Sequence, residues 1–151
     1  MDQDWDVAII LDACRFDFFE RFYRYFFEGE LLKITSRGSC TSEWFKNTFT
    51  SLYSDTIYIS ANPFINSSPL QFGGFSARSR FARIIDVWVY ALDLSVGHSF
   101  AKQGHKTLLD TLKRGRDKRI IAHHLQPHTL YICQDTLFLV FQLQIFKKEK
   151  F

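Results

Sequence analysis

The alternation of apolar and polar positions divides the chain into short strands and amphipathic helices. Val7 to Leu11 is an unbroken apolar run between Asp6 and Asp12. Such a run predicts a strand covered on both faces in a parallel sheet. Phe18, Phe22 and Phe26, with Phe19, Tyr23 and Phe27, recur at three- and four-residue spacing, which predicts a helix over Arg15 to Phe27 with a wide core-facing stripe. Glu20 and Arg24 form an i,i+4 pair on its flank, and Gly29 supplies the stop. Leu31 to Thr35 reads as a short strand. The small and hydroxyl residues from Ser36 to Ser42 lead into a helical segment ending near Phe49. In Asp55 to Ala61, Ile57 and Ile59 alternate with Tyr58 and Ser60 as in a strand, and Asn62-Pro63 ends it.

From there to Ser79 the composition turns to Asn, Ser, Pro and Gly, a long loop with Gly73-Gly74 in its middle. Phe81 to Trp88 resumes as a strand or short helix. Ala101 to Lys113 carries a stripe of Leu108, Leu109 and Leu112, with Lys113, Arg114 and Gly115 closing a helix. Arg119 to Leu125 is a further buried strand, ending in Gln126-Pro127-His128. Asp135 to Phe151 alternates bulky apolar residues and reads as an edge strand with a basic tail. Strands alternating with helices define an α/β fold, a mainly parallel sheet flanked by helices.

A chain of 151 residues is one domain's worth and can bury a real core. Its aromatic content is heavy, with 17 Phe, and much of it crowds Phe16 to Phe27, so that helix needs cover from the domain or from a partner. The net charge of +3 is mild. The basic runs Arg78 to Arg83, Lys113 to Arg119 and Lys147 to Lys150 read as solvated faces rather than a nucleic-acid groove, so no nucleic-acid partner is expected. Cys14, Cys40 and Cys133 form no CxxC and leave one thiol over in any pairing, which favours a reducing compartment. Acidic residues at the start argue against a signal peptide. No apolar run approaches the roughly 20 residues of a membrane span. The expected location is cytoplasmic.

Three places can carry chemistry. Asp12 falls where a buried strand ends, the edge at which open α/β sheets place ligands. It is either a metal or substrate group or a cap for the next helix. Ser36 to Trp44 brings hydroxyls and a thiol to a helix N-terminus beside Arg37, a natural anion site and a position that favours an ionised nucleophile. Its plainer reading is a Ser/Thr helix cap. His123, His124 and His128 gather where a strand meets a loop. Adjacent strand residues face opposite ways, so His123 and His124 cannot both serve one site, and His128 is best placed to reach a cleft.

Taken in order, these stretches resemble the alkaline phosphatase-like superfamily, most closely its sulfatase-like members. Leu11-Asp12-Ala13-Cys14-Arg15-Phe16-Asp17 resembles that family's opening strand and first metal-binding aspartate. Gly38-Ser39-Cys40-Thr41-Ser42-Glu43-Trp44 resembles its nucleophile turn, and Ile59 to Phe64 the strand beyond it. His124-Leu125-Gln126-Pro127-His128-Thr129-Leu130-Tyr131 resembles a His-x-Pro-His-x-Pro-Tyr turn lining the anion site. The resemblance covers about Asp4 to Ile132. It implies a metal-dependent hydrolase of sulfate or phosphate esters acting on a small anionic ester. Asp12 would ligate a divalent cation (Zn, Mg, Ca or Mn), and Ser39, Cys40 or Thr41 would supply the nucleophile. His128 would contact the anion or leaving group, and Arg15 and Arg37 would assist in binding it. Ser42 and Trp44 stand where sulfatases that modify a cysteine carry Pro and Arg.

The family's later Asp-His metal pair has no counterpart. After Tyr131 the only residues able to ligate a hard metal are Asp135 and Glu149. The resemblance therefore implies an incomplete ligand set, and a chain inactive by itself. Residues 1–132 read as a sulfatase-like N-terminal α/β domain, and 133–151 as an atypical tail with the character of a frameshift. A missing segment or a partner would complete the fold. The rival expectation is a non-catalytic remnant or anion-binding interaction module. A small basic nucleic-acid binder ranks well below both.

Overall fold

A computed structural model describes residues 5–69, 76–93, 98–99, 101–114, 117–127 and 142–146. In chain order its elements are Val7–Leu11 (β1), Phe16–Phe26 (α1), Thr41–Thr48 (α2), Tyr53–Ser60 (β2), Phe81–Asp86 (β3) and Val87–Ala91 (α3). There follow Leu92–Asp93 (β4), His98–Ser99 (β5), Ala101–Arg114 (α4), Arg119–His124 (β6) and Gln142–Phe146 (β7). The main sheet has the order β3-β2-β6-β1-β7. Its first four strands are mutually parallel and β7 runs antiparallel at the edge, while β4 and β5 form a separate antiparallel pair. The fold is α/β, as the strand–helix alternation predicts.

Alternation along each strand divides the core into two layers. Ala8 and Ile10 of β1, Tyr58 of β2 and Ile121 of β6 pack with Trp44, Phe45 and Phe49 around α2. Val7, Ile59, Ile120 and Ala122 face the other way, onto Val87, Ala91 and Leu108 of α3 and α4. The α2 layer is an aromatic cluster: Phe45, Phe49, Tyr58 and Phe81 lie 4.8–6.3 Å apart between ring centroids, mostly edge to face or tilted. That geometry suits ring quadrupoles, and truncating a fully buried member such as Phe49 costs about 3–5 kcal/mol.

Three expectations are corrected. Leu31 to Thr35 pairs with no strand among the described residues and runs as irregular chain, with Leu32 and Ile34 exposed. The aromatic stripe of α1 is not a core stripe. Phe19 is buried, but Phe18, Phe22, Tyr25 and Phe26 lie open, Tyr25 at 80% exposure. The spacing makes a helix, but it does not by itself bring cover to the rings. Phe81 to Trp88 is not one element but two, because β3 passes directly into α3 at Val87. The edge strand expected after Asp135 is present as β7.

Candidate functional site at the carboxyl edge of the sheet

The parallel register brings the strand ends together. Leu11 pairs with His124, and Ser60 with His123. The Asp12 N–H donates to the His124 carbonyl at 3.1 Å, and the Ala61 N–H to that of His123 at 2.9 Å. Asp12 and Asn62 thus leave neighbouring parts of the edge where ligands of open α/β sheets bind. Asp12 is fully buried. It does not stand at a cap position, since α1 begins at Phe16 with Arg15 at its N-cap. The residue after it, Ala13, has φ 54°, a left-handed conformation uncommon for a residue with a Cβ.

Asn62 is the link that sequence reasoning read only as a strand breaker. Its Nδ2 donates to Asp12 Oδ2 at 2.9 Å and approaches Thr41 Oγ1 at 3.4 Å. The amide's orientation is set independently, because Oδ1 accepts the Phe64 N–H at 2.9 Å. The Ser60 hydroxyl fixes the same turn, donating to the Asn62 carbonyl and accepting the Asn62 N–H. A polar residue just past the end of a buried strand was the signal that could have marked Asn62, which follows β2 after Ala61.

Behind Asp12 lies His123. Its Nε2 is 3.8 Å from Asp12 Oδ2, and its Nδ1 meets the Tyr58 hydroxyl at 2.8 Å. With its proton on Nε2 the ring would face the carboxylate and Nδ1 would accept from Tyr58. Burial, with the Asp12 charge adding to it, pushes the Tyr58 hydroxyl well above its ordinary value, so it remains a donor. His124 points to the opposite face, as strand alternation requires. There its imidazole packs on α4, where a Cβ on Gly104 would lie 3.0 Å from Nδ1. His128 lies outside the described residues. The Gln126–Pro127 peptide before it is cis.

The three nucleophile candidates are placed differently. Ser39 is tied back: its N–H and hydroxyl both donate to Glu43 Oε2, at 2.7 and 2.8 Å, and these bonds hold the Glu43 carboxyl below its ordinary range. Cys40 is exposed at the N-cap of α2, 3.4 Å from the Ser42 hydroxyl, and that contact followed by the Glu43 N–H lowers its thiol pKa. Thr41, the first residue of α2, is the one beside the Asn62–Asp12 pair. Gly38 is required beneath them, since a Cβ there would run into the backbone of Glu43 and Trp44. Of the anion-binding candidates, Arg15 forks onto Asp17 at 2.8 and 3.0 Å, while Arg37 donates to the Asn47 carbonyl at 3.2 Å.

A hard divalent cation wants six or more oxygen ligands. Among the described residues, no three His, Cys, Asp or Glu side chains gather to hold one. The Asn62 N–H also occupies an oxygen of Asp12 that a cation would use. The donors described here do not fit a bound divalent ion as they stand. What the cluster offers is a hydroxyl at a helix N-terminus, an amide donor beside it and a buried carboxylate behind. No family model, curated protein or solved structure matches the chain.

Proposed function

We propose that the chain carries the nucleophile part of a sulfatase-like site for hydrolysing phosphate or sulfate esters, completed by groups beyond the described residues. The observation that carries this reading is the single Asn62 amide that joins Thr41 to Asp12. The N-terminus of α2 favours negative charge on Thr41 Oγ1. Attack by that oxygen on phosphorus or sulfur forms a Thr41 ester, and the substrate's alcohol leaves with the hydroxyl proton. Water then cleaves the Thr41 ester and restores the hydroxyl. As Thr41 Oγ1 bonds to the transferred group, the Asn62 Nδ2 hydrogen that faced it would turn to an oxygen of that group, the type of donor that stabilises developing charge. The divalent cation belongs to the proposal and not to the donor set described, and no step is routed through it.

The test is to incubate the full chain with p-nitrophenyl phosphate or p-nitrophenyl sulfate, with Mn²⁺, Zn²⁺, Mg²⁺ or Ca²⁺ in turn. Peptide mass spectrometry then looks for a phosphorylated or sulfated Thr41. The expected adduct is absent from Thr41→Ala and strongly reduced in Asp12→Ala. No adduct and no turnover under every metal would overturn the reading. The rival, a non-catalytic module of the same fold, draws on one specific observation: the Asn62 amide N–H already satisfies Asp12 Oδ2, at 2.9 Å.

A further inference from the structure

On the other face of the sheet a cleft of about 410 Å³ lies between α4 and the strands β2 and β3. Its apolar side is formed by Ile57 and Ile85, which belong to the layer packed on α4 and not to the layer around α2. Two arginines line it, Arg83 from β3 and Arg114 from the last turn of α4, against one acidic residue, Asp110. Among the described residues neither arginine has a carboxylate within ion-pairing distance. In contrast, Arg119 nearby forks onto Asp55.

The hydroxyls lining the cleft are committed. Thr111 donates its proton to the Thr107 carbonyl at 2.7 Å and Thr107 its own to the Gln103 carbonyl at 2.9 Å, while the Tyr90 hydroxyl contacts Thr107 Oγ1 at 3.0 Å, so the cleft meets Thr111 as the more open acceptor. The lining therefore presents strong fixed-charge donors at two points, acceptors along the helix, and an apolar wall. A volume near 400 Å³ is that of a small-molecule site. Guanidinium groups match the planar, bidentate geometry of phosphate and carboxylate oxygens.

We propose that this cleft binds a small organic anion. Its phosphate, phosphonate or carboxylate head would lie on Arg83 and Arg114, its apolar body on Ile57 and Ile85, and a hydroxyl or amine donor against Asp110 and the threonines. The site is independent of the Asp12–Asn62–Thr41 cluster, which the strands present on their opposite face and at their carboxyl ends.

The test is titration of the full chain, by calorimetry and by shifts of the Ile57 and Ile85 methyl resonances. Its probes are 4-hydroxybenzylphosphonate, benzylphosphonate and inorganic phosphate. The expected order of affinity is the order given. Arg83→Gln and Arg114→Gln should each weaken the first probe about tenfold or more, as loss of a charge-assisted hydrogen bond does. Asp110→Asn should abolish the advantage of the hydroxyl without weakening benzylphosphonate. Both arginines are exposed, so the variants retain the fold, which their circular dichroism checks. Inorganic phosphate binding as tightly as the phosphonates, unmoved methyl resonances, or affinity that both arginine variants leave unchanged would overturn the proposal.

Discussion

Replacing Asn62 by Asp changes one atom of shape and reverses the logic of the buried edge. The wild-type amide places an N–H donor 2.9 Å from a carboxylate oxygen of the fully buried Asp12. In Asn62→Asp that donor becomes a second carboxylate oxygen. Two unit charges at that separation repel by about 6 kcal/mol at an effective dielectric constant of 20. Protonating one carboxyl at pH 7 instead costs about 4 kcal/mol. The smaller cost wins, so the folded variant takes up a proton that the unfolded chain does not hold. The shared proton then stands in for the lost amide hydrogen bond. Because this carboxyl's folded value is raised, the penalty is absent below the ordinary carboxylate range and grows as pH rises. It amounts to about 1.5 kcal/mol at pH 5 and about 4 kcal/mol at pH 7. Asn62→Ala gives the contrast, a loss of about 1.5–3 kcal/mol from a charge-assisted bond with no second carboxyl added to titrate. Urea unfolding of wild type and both variants at pH 5 and 7, followed by tryptophan fluorescence, measures all of this. Equal destabilisation of Asn62→Asp at the two pH values would refute the placement of Asn62 against Asp12.

Other substitutions test the same edge and its supports. Gly38→Ala should cost about 1–3 kcal/mol, because its Cβ would lie 2.7 Å from Trp44 Cα and 2.8 Å from the Glu43 carbonyl carbon, both backbone atoms. Gly104→Ala should cost less than about 1 kcal/mol, since the neighbour that must give way is the His124 ring. Chemical denaturation ranks the two. Ala13→Val should lose about 2 kcal/mol or more, a β-branched residue being poorly tolerated at φ 54°, whereas Ala13→Gly should stay within about 0.5 kcal/mol of wild type. Burial, and next the nearby His105, hold the His124 imidazole below its ordinary value. The unfolded chain therefore takes up a proton first, so stability is full above the ordinary histidine range and falls as pH drops through it. The slope is at most about 1.4 kcal/mol per pH unit. His124→Gln should flatten that loss between pH 7 and pH 5 in thermal unfolding curves.

The strands were legible where burial dictated composition. Val7 to Leu11 is apolar on both faces, and its bounds could be read from the apolar run alone; the strand read over Arg119 to Leu125 ends one residue earlier, at His124. Opposite facing of His123 and His124 followed from the two-residue period. What could not be read was cover. Leu31 to Thr35 alternates like a strand, yet strand formation needs a neighbour's hydrogen bonds, which no local pattern encodes. The α1 rings at helical spacing looked like core, but spacing reports only that they share a face, not that anything lies upon it. The site divided in the same way. Asp12 and the hydroxyl turn were visible as local motifs. The choice of Thr41 over Ser39 depends on Glu43 turning back onto Ser39 and on Asn62 arriving from a strand two positions away in the sheet.

The pairing of Val7 with Ile120 has a consequence for the birth of the molecule. A ribosome releases β1 first, yet its parallel neighbour is β6, and β2 needs the same strand to join the sheet. Loop closure over such a span is slow, and nothing nearer in sequence offers β1 a parallel partner among the described residues. Throughout that wait the nascent chain displays the Phe45–Phe49 cluster without a sheet beneath it. Such a chain is a natural client for chaperones, and its yield on expression should depend on how well they hold it until translation passes His124.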